Sequence, residues 1–241
     1  MAASAPPVLI EGLVKRLGQG VTAVDGLDLV VEQGQVLGLA GPNGAGKSVT
    51  LKVMMGLVRP TAGRVELFGE PVHPGAKVLA RVGALVDGPG FVPHLSGLQN
   101  LELAERMIHR RNGRSDLEGA IAIAGLGGAI ERQYKTYSHG MRYRLGLAQA
   151  MLGAPDLLLL DEPTTGLDPA HILEVREAIG AAARAGTTIM LSSHEMAEVQ
   201  EICTHAAVME GGRLIANGPV EELIANAGAQ SLAEAYLSFV R

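Results

Sequence analysis

The stretch "GPNGAGKS", from Gly41 to Ser48, is the strongest signal in the chain, because it matches G-x-x-x-x-G-K-[ST] at every fixed position. An apolar run typical of a buried strand precedes it, and a run typical of a helix follows it, at 36–40 and 47–57. Its glycines allow backbone N–H groups to converge on phosphate oxygens. Lys47 supplies a cation for β- and γ-phosphates, and the Ser48 hydroxyl can ligate Mg²⁺.

Two adjacent acids end a second apolar run, "LLLLDEP", at residues 157–163. Successive side chains of a strand point in opposite directions, so Asp161 and Glu162 are expected to face different environments. One can face a metal ion through water, and the other can face an attacking water molecule. Together with the glycine loop, this pair is typical of a nucleotide triphosphatase.

Two further motifs come after these acids. "TTGLDP" at 164–169 contains Asp168, and the strand-like "TTIMLSSHE" at 187–195 ends beside His194. Ligands of α/β sheets bind at the carboxyl ends of parallel strands, which favours a functional His194 over a structural one.

The apolar runs predict a mixed sheet. Short Leu/Val-rich runs at 8–13, 27–31 and 64–68 predict an antiparallel edge sheet, and buried runs like that at 36–40 recur along the chain. Helical segments separate these buried runs, which indicates a mainly parallel sheet covered on both faces. The later buried runs lie at 82–86, 156–160 and 187–192.

A mostly helical stretch interrupts the strands between Asp87 and about Met151, with Ser96 as the expected helix cap. We interpret it as an inserted α-helical subdomain. The predicted fold is therefore an α/β P-loop core with an N-terminal antiparallel β-subdomain and this insertion, as a single domain over residues 1–241. One or two short helices are expected at the end of the chain.

The bulk properties exclude several functional classes. The chain has 241 residues and a net charge of −5, and its basic residues are scattered, which is unlike a nucleic-acid footprint. No apolar run approaches the ~20 residues of a membrane-spanning helix, and no secretory leader is predicted. A single cysteine, Cys203, excludes an internal disulfide, and no Cys/His group has metal-ligand spacing. A cytoplasmic setting fits best.

These motifs, in this order and spacing, resemble the nucleotide-binding subunit of an ATP-binding cassette (ABC) transporter, most closely those of bacterial drug, antibiotic and bacitracin-type exporters. The similarity also includes "YSHGMRYRLGLAQAML" at 137–152. It implies an ATPase that needs Mg²⁺. In that family, the segment around Ser138 would be the signature segment, which reaches the ATP of a partner subunit.

The resemblance assigns a role to each matching residue. Glu162 would be the general base or the residue that orients the attacking water. His194 would contact the γ-phosphate and that water, and Lys47 would be the third catalytic residue. The metal ligands would be Ser48 and Asp161, the latter through water, with Asp87 as a further candidate. The nucleotide-binding residues would be Gly41, Pro42, Asn43, Gly44, Ala45, Gly46, Lys47, Ser48, Val49, Ser138, Gly140 and Asp168.

The resemblance also implies partners. Two such subunits close head to tail around two ATP molecules, with Asp168 in the loop that crosses the dimer interface. A homodimer would drive a separate membrane-spanning permease from the inner face of the cell membrane, while the permease binds the transported compound. Import instead of export and a heterodimer remain alternatives.

Four positions depart from the family pattern. Leu17 replaces an aromatic residue that stacks on adenine, and Val49 replaces threonine. Asp87 replaces glutamine, so it is either an unusual metal contact or part of a mechanical link to the permease. In the signature segment His139 and Met141 are unusual; His139 is either a structural substitute for glycine or a pH-sensitive contact to the nucleotide.

Two other classes are open to test. A nucleotide-binding regulatory module without turnover would be compatible with the four departures, although Lys47, Asp161, Glu162 and His194 together argue against it. ABC proteins of DNA repair or translation are disfavoured, since the chain has one cassette and no long heptad segment.

Overall fold

A computed structural model describes residues 5–113 and 115–240, so the two ends of the predicted 1–241 domain lie outside the described residues. Within these ranges the chain forms ten strands and eight α-helices. The strands are β1 (Val8–Arg16), β2 (Thr22–Val31), β3 (Val36–Ala40), β4 (Ala62–Leu67), β5 (Glu70–Pro71), β6 (Val82–Leu85), β7 (Leu157–Asp161), β8 (Thr188–Ser193), β9 (His205–Glu210) and β10 (Arg213–Pro219). The helices are α1 (Lys47–Met54), α2 (Gly97–Asn112), α3 (Leu117–Ala124), α4 (His139–Met151), α5 (Pro169–Arg184), α6 (Met196–Ile202), α7 (Val220–Asn226) and α8 (Leu232–Phe239).

The chain divides into two compact units. The first unit combines Met1–Leu79 with Thr188–Arg241, and the second unit is Ala80–Thr187. The glycine loop and His194 belong to the first unit, whereas the two acids at the end of β7, Asp161 and Glu162, belong to the second.

An antiparallel sheet in the first unit has the strand order β2-β1-β4-β5. Val8 pairs with Val31 on one side of β1 and with Leu67 on the other. All three side chains are fully buried, because alternate residues of these strands face the core. The predicted antiparallel edge sheet is confirmed.

The parallel strands of the first unit are β8, β3 and β9, with β3 in the middle. Ala40, the last residue of β3, pairs with Ser193, the last residue of β8. All residues of both strands are buried, which explains their continuous apolar character. Strand β10 adds to β9 in antiparallel orientation. Strands β9 and β10 were not predicted from the sequence, because their alanines and glycine weaken a strand pattern.

The second unit contains the parallel pair β6 and β7, with Val82 opposite Leu157. Helix α4 packs closely on β6, since a β-carbon on Gly83 would lie 1.9 Å from the carbonyl oxygen of Ala150. Helices α2, α3 and α4 share an apolar core that includes Leu101, Ala120, Ala124 and Leu145.

Helix α2 begins with the predicted cap. The Ser96 hydroxyl accepts a hydrogen bond from the Gln99 N–H at 3.1 Å, while the Gln99 side chain accepts one from the Ser96 N–H at 2.9 Å. This reciprocal pair is a capping box, which satisfies two N–H groups that have no partner within the helix.

The two short C-terminal helices, α7 and α8, match the expectation for the end of the chain. Among the residues that the structure describes, no helix combines the length and apolar character required to cross a membrane.

Candidate functional site

The glycine loop is held tightly between strands of the first unit. Gly41 has a φ of 151°, and a β-carbon there would lie 2.2 Å from the carbonyl oxygen of Met209. Gly46, with a φ of 101°, would bring a β-carbon within 2.3 Å of the Ala23 carbonyl oxygen. No other residue fits at either position without moving the backbone. The fixed glycines of the motif therefore have a direct steric cause.

Lys47 is the first residue of α1 and is only 5% exposed. Its Nζ atom donates hydrogen bonds to the carbonyl oxygens of Gly41 at 2.7 Å and Pro42 at 3.1 Å. The buried ammonium group is therefore held at the glycine loop. Ser48 and Val49 follow in the first turn of α1, and both are half-buried.

His194 immediately follows β8 and is exposed. The residue before it is joined to the loop, because the N–H of Gly41 donates to the carbonyl oxygen of Ser193 at 3.2 Å. The structure therefore connects the two motifs of the first unit through one backbone hydrogen bond.

Leu17 lies in the first unit, where it precedes a short 3₁₀ turn at Gly18–Gly20. Its N–H donates to the carbonyl oxygen of Val21 at 2.8 Å, which closes the turn. Leu17 and Val21 are 45% and 56% exposed, so this turn presents two aliphatic side chains to solvent.

The acidic pair of the second unit differs from the expectation. Strand β7 ends at Asp161, and Glu162 has a φ of 50°, in the left-handed region. The rule of alternating side chains therefore does not extend to Glu162, and the derivation of opposite directions from strand geometry was wrong. Both side chains are half-buried. The Thr165 hydroxyl donates to Oε2 of Glu162 at 3.1 Å, a contact that sequence reasoning missed.

Asp87 shares this unusual backbone. It lies just beyond β6, is exposed and has a φ of 60°. The left-handed region is strained for residues other than glycine, and such residues are concentrated at functional sites. Asp87 and Glu162 follow the two paired strands of the second unit, and both have this backbone.

Two helices of the second unit begin with polar caps that the sequence analysis named. Ser138 Oγ accepts the N–H of Met141 at 3.3 Å at the start of α4. Asp168 accepts the N–H of His171 at 3.1 Å at the start of α5, and its other oxygen lies 2.5 Å from the imidazole Nδ1 of His171. The backbone hydrogen bond and then the imidazole of His171 lower the pKa of Asp168. The spacing D-x-x-H was the sequence signal for this pair.

The helix start at 138–140 and the loop before α5 are neighbours within the second unit. A β-carbon on Gly140 would lie 3.8 Å from Nδ1 of His171, and one on Gly166 would lie 3.5 Å from Cε1 of His139. The imidazole of His139 therefore packs over Gly166. The structure thus places both segments that were expected at a dimer interface side by side.

The proposed site residues fall into two groups. The first unit contains the loop from Gly41 to Ser48, with Val49, and His194; the second unit contains the remaining predicted residues. Those remaining residues are Asp87, Ser138, Gly140, Asp161, Glu162 and Asp168.

The fold and these motifs define a P-loop protein of the ATP-binding cassette class. The family model described as ABC transporter matches residues 24–165, which is more than half of the chain, and the chain belongs to this family.

Two similar proteins are named as ATP-binding proteins, one of bacitracin transport and one of daunorubicin resistance. The bacitracin transport ATP-binding protein of Bacillus licheniformis is 38% identical over 205 residues, covering 83% of this chain and 66% of that protein. A daunorubicin resistance ATP-binding protein of Streptomyces coeruleorubidus is 37% identical over 228 residues, covering 93% of this chain and 72% of that protein. The chain thus spans slightly less than two thirds of the length of the bacitracin relative.

A solved ATP-binding subunit of an ABC transporter has the same fold. It superposes with a TM-score of 0.85 at 25% identity, and the match covers 97% of this chain and 99% of that one. The predicted ATP-binding cassette architecture is confirmed.

Proposed function

We propose that this chain is an ATP-binding and ATP-hydrolysing subunit that dimerises around ATP and drives a separate membrane-spanning permease. The observation that carries the proposal is the loop from Gly41 to Ser48, in which Gly41 and Gly46 are sterically required and the lysine is buried at the loop. Such a loop before a helix N-terminus is suited to bind phosphates.

The residues fit ATP and Mg²⁺. Loop N–H groups and the ammonium group of Lys47 would bind the phosphates. The Ser48 hydroxyl and the Asp161 carboxylate are hard oxygen donors of the kind that Mg²⁺ prefers. Bound Mg²⁺ would neutralise charge on the phosphate oxygens. Asp87 would contribute a carboxylate there only through water.

Glu162 and His194 would act on the attacking water. The carboxylate of Glu162 would accept the proton from water or orient it, with the hydroxyl of Thr165 fixing one carboxylate oxygen. The imidazole of His194 would contact the γ-phosphate and help to hold the water. Each group would reduce the freedom of the reactants before phosphoryl transfer.

The partner subunit would bind the same ATP through the start of α4. Helix N-termini are anion sites, and the exposed Ser138 and the amide of Gly140 would reach the partner's γ-phosphate. Asp168 would lie at this dimer interface, beside the same segment. The insertion over about 87–151 would be a helical subdomain of a single ABC domain.

Export is the direction that the relatives favour, since their names refer to bacitracin transport and daunorubicin resistance. The transported compound would be a drug, an antibiotic or a similar molecule, bound by the permease. The subunit would then lie on the cytoplasmic face of the membrane.

ATP hydrolysis by the purified dimer or its permease complex tests this proposal. Glu162→Gln is the matched control, because it keeps the size of the side chain and removes the base. We expect turnover in the natural protein, and we expect the variant to retain ATP and form a closed dimer on gel filtration. Turnover no higher than that of the variant would favour the second candidate, a nucleotide-binding regulatory module. The aliphatic Leu17, at the position where the family has an aromatic residue that stacks on adenine, supports this second candidate.

Co-purification from membranes tests the partner. We expect a stably bound integral membrane protein with several spanning helices. Salt-resistant association with ribosomes or DNA, with no membrane protein bound, would contradict the transport proposal.

A further inference from the structure

A buried glutamate in the first unit, Glu198, is not explained by the proposed chemistry. It lies on α6, directly after the segment that contains His194, and is only 2% exposed. Burial of a carboxylate is costly unless hydrogen bonds compensate for it. Its partners therefore indicate what it does.

Helix α6 is fixed on β3 by an unusually close approach. A β-carbon on Gly38 would lie 2.5 Å from Cγ1 of Val199 and 2.9 Å from Sγ of Cys203. Gly38 has no side chain, so the side chains of Val199 and Cys203 pack directly on the backbone of the strand that leads into the phosphate loop. Glu198 is adjacent to Val199 and is held by the same packing.

The carboxylate of Glu198 accepts a hydrogen bond from the hydroxyl of Ser193, a side chain that is fully buried. The same Ser193 oxygen accepts the N–H of Glu195 at 3.0 Å. Ser193 and Glu195, the two residues that flank His194 in the chain, are thus joined by a hydrogen bond. The Ser193 hydroxyl in this bond also donates to the carboxylate of Glu198.

The backbone of Ser193 also contacts the phosphate loop, through the hydrogen bond from the Gly41 N–H at 3.2 Å. Ser193 is therefore a junction of the loop, the His194 segment and α6. Burial, and then the negative charge of Glu198, raise the pKa of Cys203, which agrees with a carboxylate that faces inward.

We propose that Glu198 is a positioning residue that, through Ser193, fixes the backbone on both sides of His194 and so sets where its imidazole lies. The inference rests on the proposed ATPase function, in which His194 contacts the γ-phosphate and the attacking water. Glu198 itself touches neither. Because the contact requires an acceptor oxygen, a glutamine at this position would preserve most of the effect.

The first test observes the His194 imidazole without nucleotide. The protein has seven histidines, and His194→Gln assigns the resonance of interest in a ¹⁵N imidazole spectrum. We expect Glu198→Ala to shift or broaden that resonance, and Glu198→Gln to leave it close to that of the natural protein. The matched control is Glu201→Ala, which removes an exposed carboxylate from the same helix.

The second test measures ATP hydrolysis. We expect Glu198→Ala to lower kcat by about 10- to 100-fold, as small misplacements of a reacting group do, with a much smaller change in KM. Combined with His194→Ala it should cause no further loss, since both changes remove one effect. Glu198→Gln should recover most of the rate.

Several results would overturn the proposal. The first is a Glu198→Ala variant whose His194 resonance and kcat equal those of the Glu201→Ala control. The second is a double variant in which the losses of kcat caused by Glu198→Ala and His194→Ala add. The third is a folded Glu198→Gln variant whose kcat is as low as that of Glu198→Ala. If Glu198→Ala does not fold, Ser193→Cys replaces it in the test, because this substitution nearly keeps the side-chain volume and weakens the hydrogen bonds. An unchanged His194 resonance in Ser193→Cys would also overturn the proposal. Absence of ATP turnover in the natural protein would refute the proposed function, while the imidazole spectrum would still test the positioning of His194.

Discussion

The ammonium group of Lys47 donates a 2.7 Å hydrogen bond to the carbonyl oxygen of Gly41, which joins the two ends of the phosphate loop. The lysine therefore has a structural contact in addition to its expected charge interaction with phosphates. A substitution at this position removes both.

We expect Lys47→Ala to weaken ATP binding by about 10- to 100-fold or more, because charge-assisted hydrogen bonds contribute roughly 1.5–3 kcal/mol each. Titration with a fluorescent ATP analogue measures the loss. Lys77→Ala, at an exposed lysine of the same unit, should leave affinity unchanged. An ATP affinity of Lys47→Ala equal to that of the natural protein or of Lys77→Ala would contradict the assignment.

Ser138→Ala separates capping from dimer formation. Loss of a serine N-cap costs about 1 kcal/mol, and Ser231→Ala, which removes the cap of α8, should cost a similar amount. In a Glu162→Gln background we expect only Ser138→Ala to weaken the ATP-dependent dimer on gel filtration. Equal dimer formation by the two variants would limit Ser138 to a capping role.

Asp87→Asn should change coupling more than nucleotide affinity. Asparagine tolerates the left-handed backbone at this position, so the substitution removes the charge without a change of conformation. In a reconstituted permease complex we expect near-normal ATP affinity with less transport per ATP hydrolysed. A loss of affinity as large as that of Lys47→Ala would instead make Asp87 a metal ligand.

The lowered pKa of Asp168 predicts a pH-dependent contribution to stability. A depressed carboxyl pKa stabilises the folded state above the unfolded value of about 4, and this contribution is lost as the pH falls through the lower folded value. At pH 7 the natural protein should therefore have a higher melting temperature than Asp168→Asn. The difference between the two melting temperatures should become smaller below about pH 4. Thermal unfolding from pH 3 to 7 measures this difference. A difference that does not change with pH would exclude a contribution from the ionisation of Asp168.

Cys203 should be unreactive in the folded protein. It is 8% exposed, and burial and the charge of Glu198 raise its pKa, so little thiolate is present. We expect a disulfide reagent at pH 8 to label it at least about 100-fold more slowly than in guanidinium, given tenfold less thiolate per unit of pKa. Rapid labelling of the native state would show that α6 opens.

Much of the fold could be predicted because the strands are buried on both faces and appear as continuous apolar runs. The edge sheet, the four core strands β3, β6, β7 and β8, and the Ser96 cap followed from local patterns of this kind. Strands β9 and β10 were missed, since their residues have weak strand preference and are stabilised by neighbours distant in sequence.

The geometry of the site was less accessible to sequence reasoning. The motifs predicted which residue types would be present, but the left-handed backbone of Glu162 depends on the turn after β7. Likewise, the pairing of Ser193 with Glu198 depends on how closely α6 packs on Gly38, a tertiary contact that no periodicity reveals.

The pairing of Ala40 with Ser193 has a geometric consequence. The phosphate loop follows β3 and His194 follows β8, and the two strands end at paired residues of one parallel ladder. The register of this ladder therefore determines the distance between the starts of the two motifs. A slip of one residue would displace them by about 3.3 Å and turn every side chain of the shifted strand to the opposite face. The spacing between loop and histidine is thus inherited from strand register, and it can persist while the surrounding loops diverge.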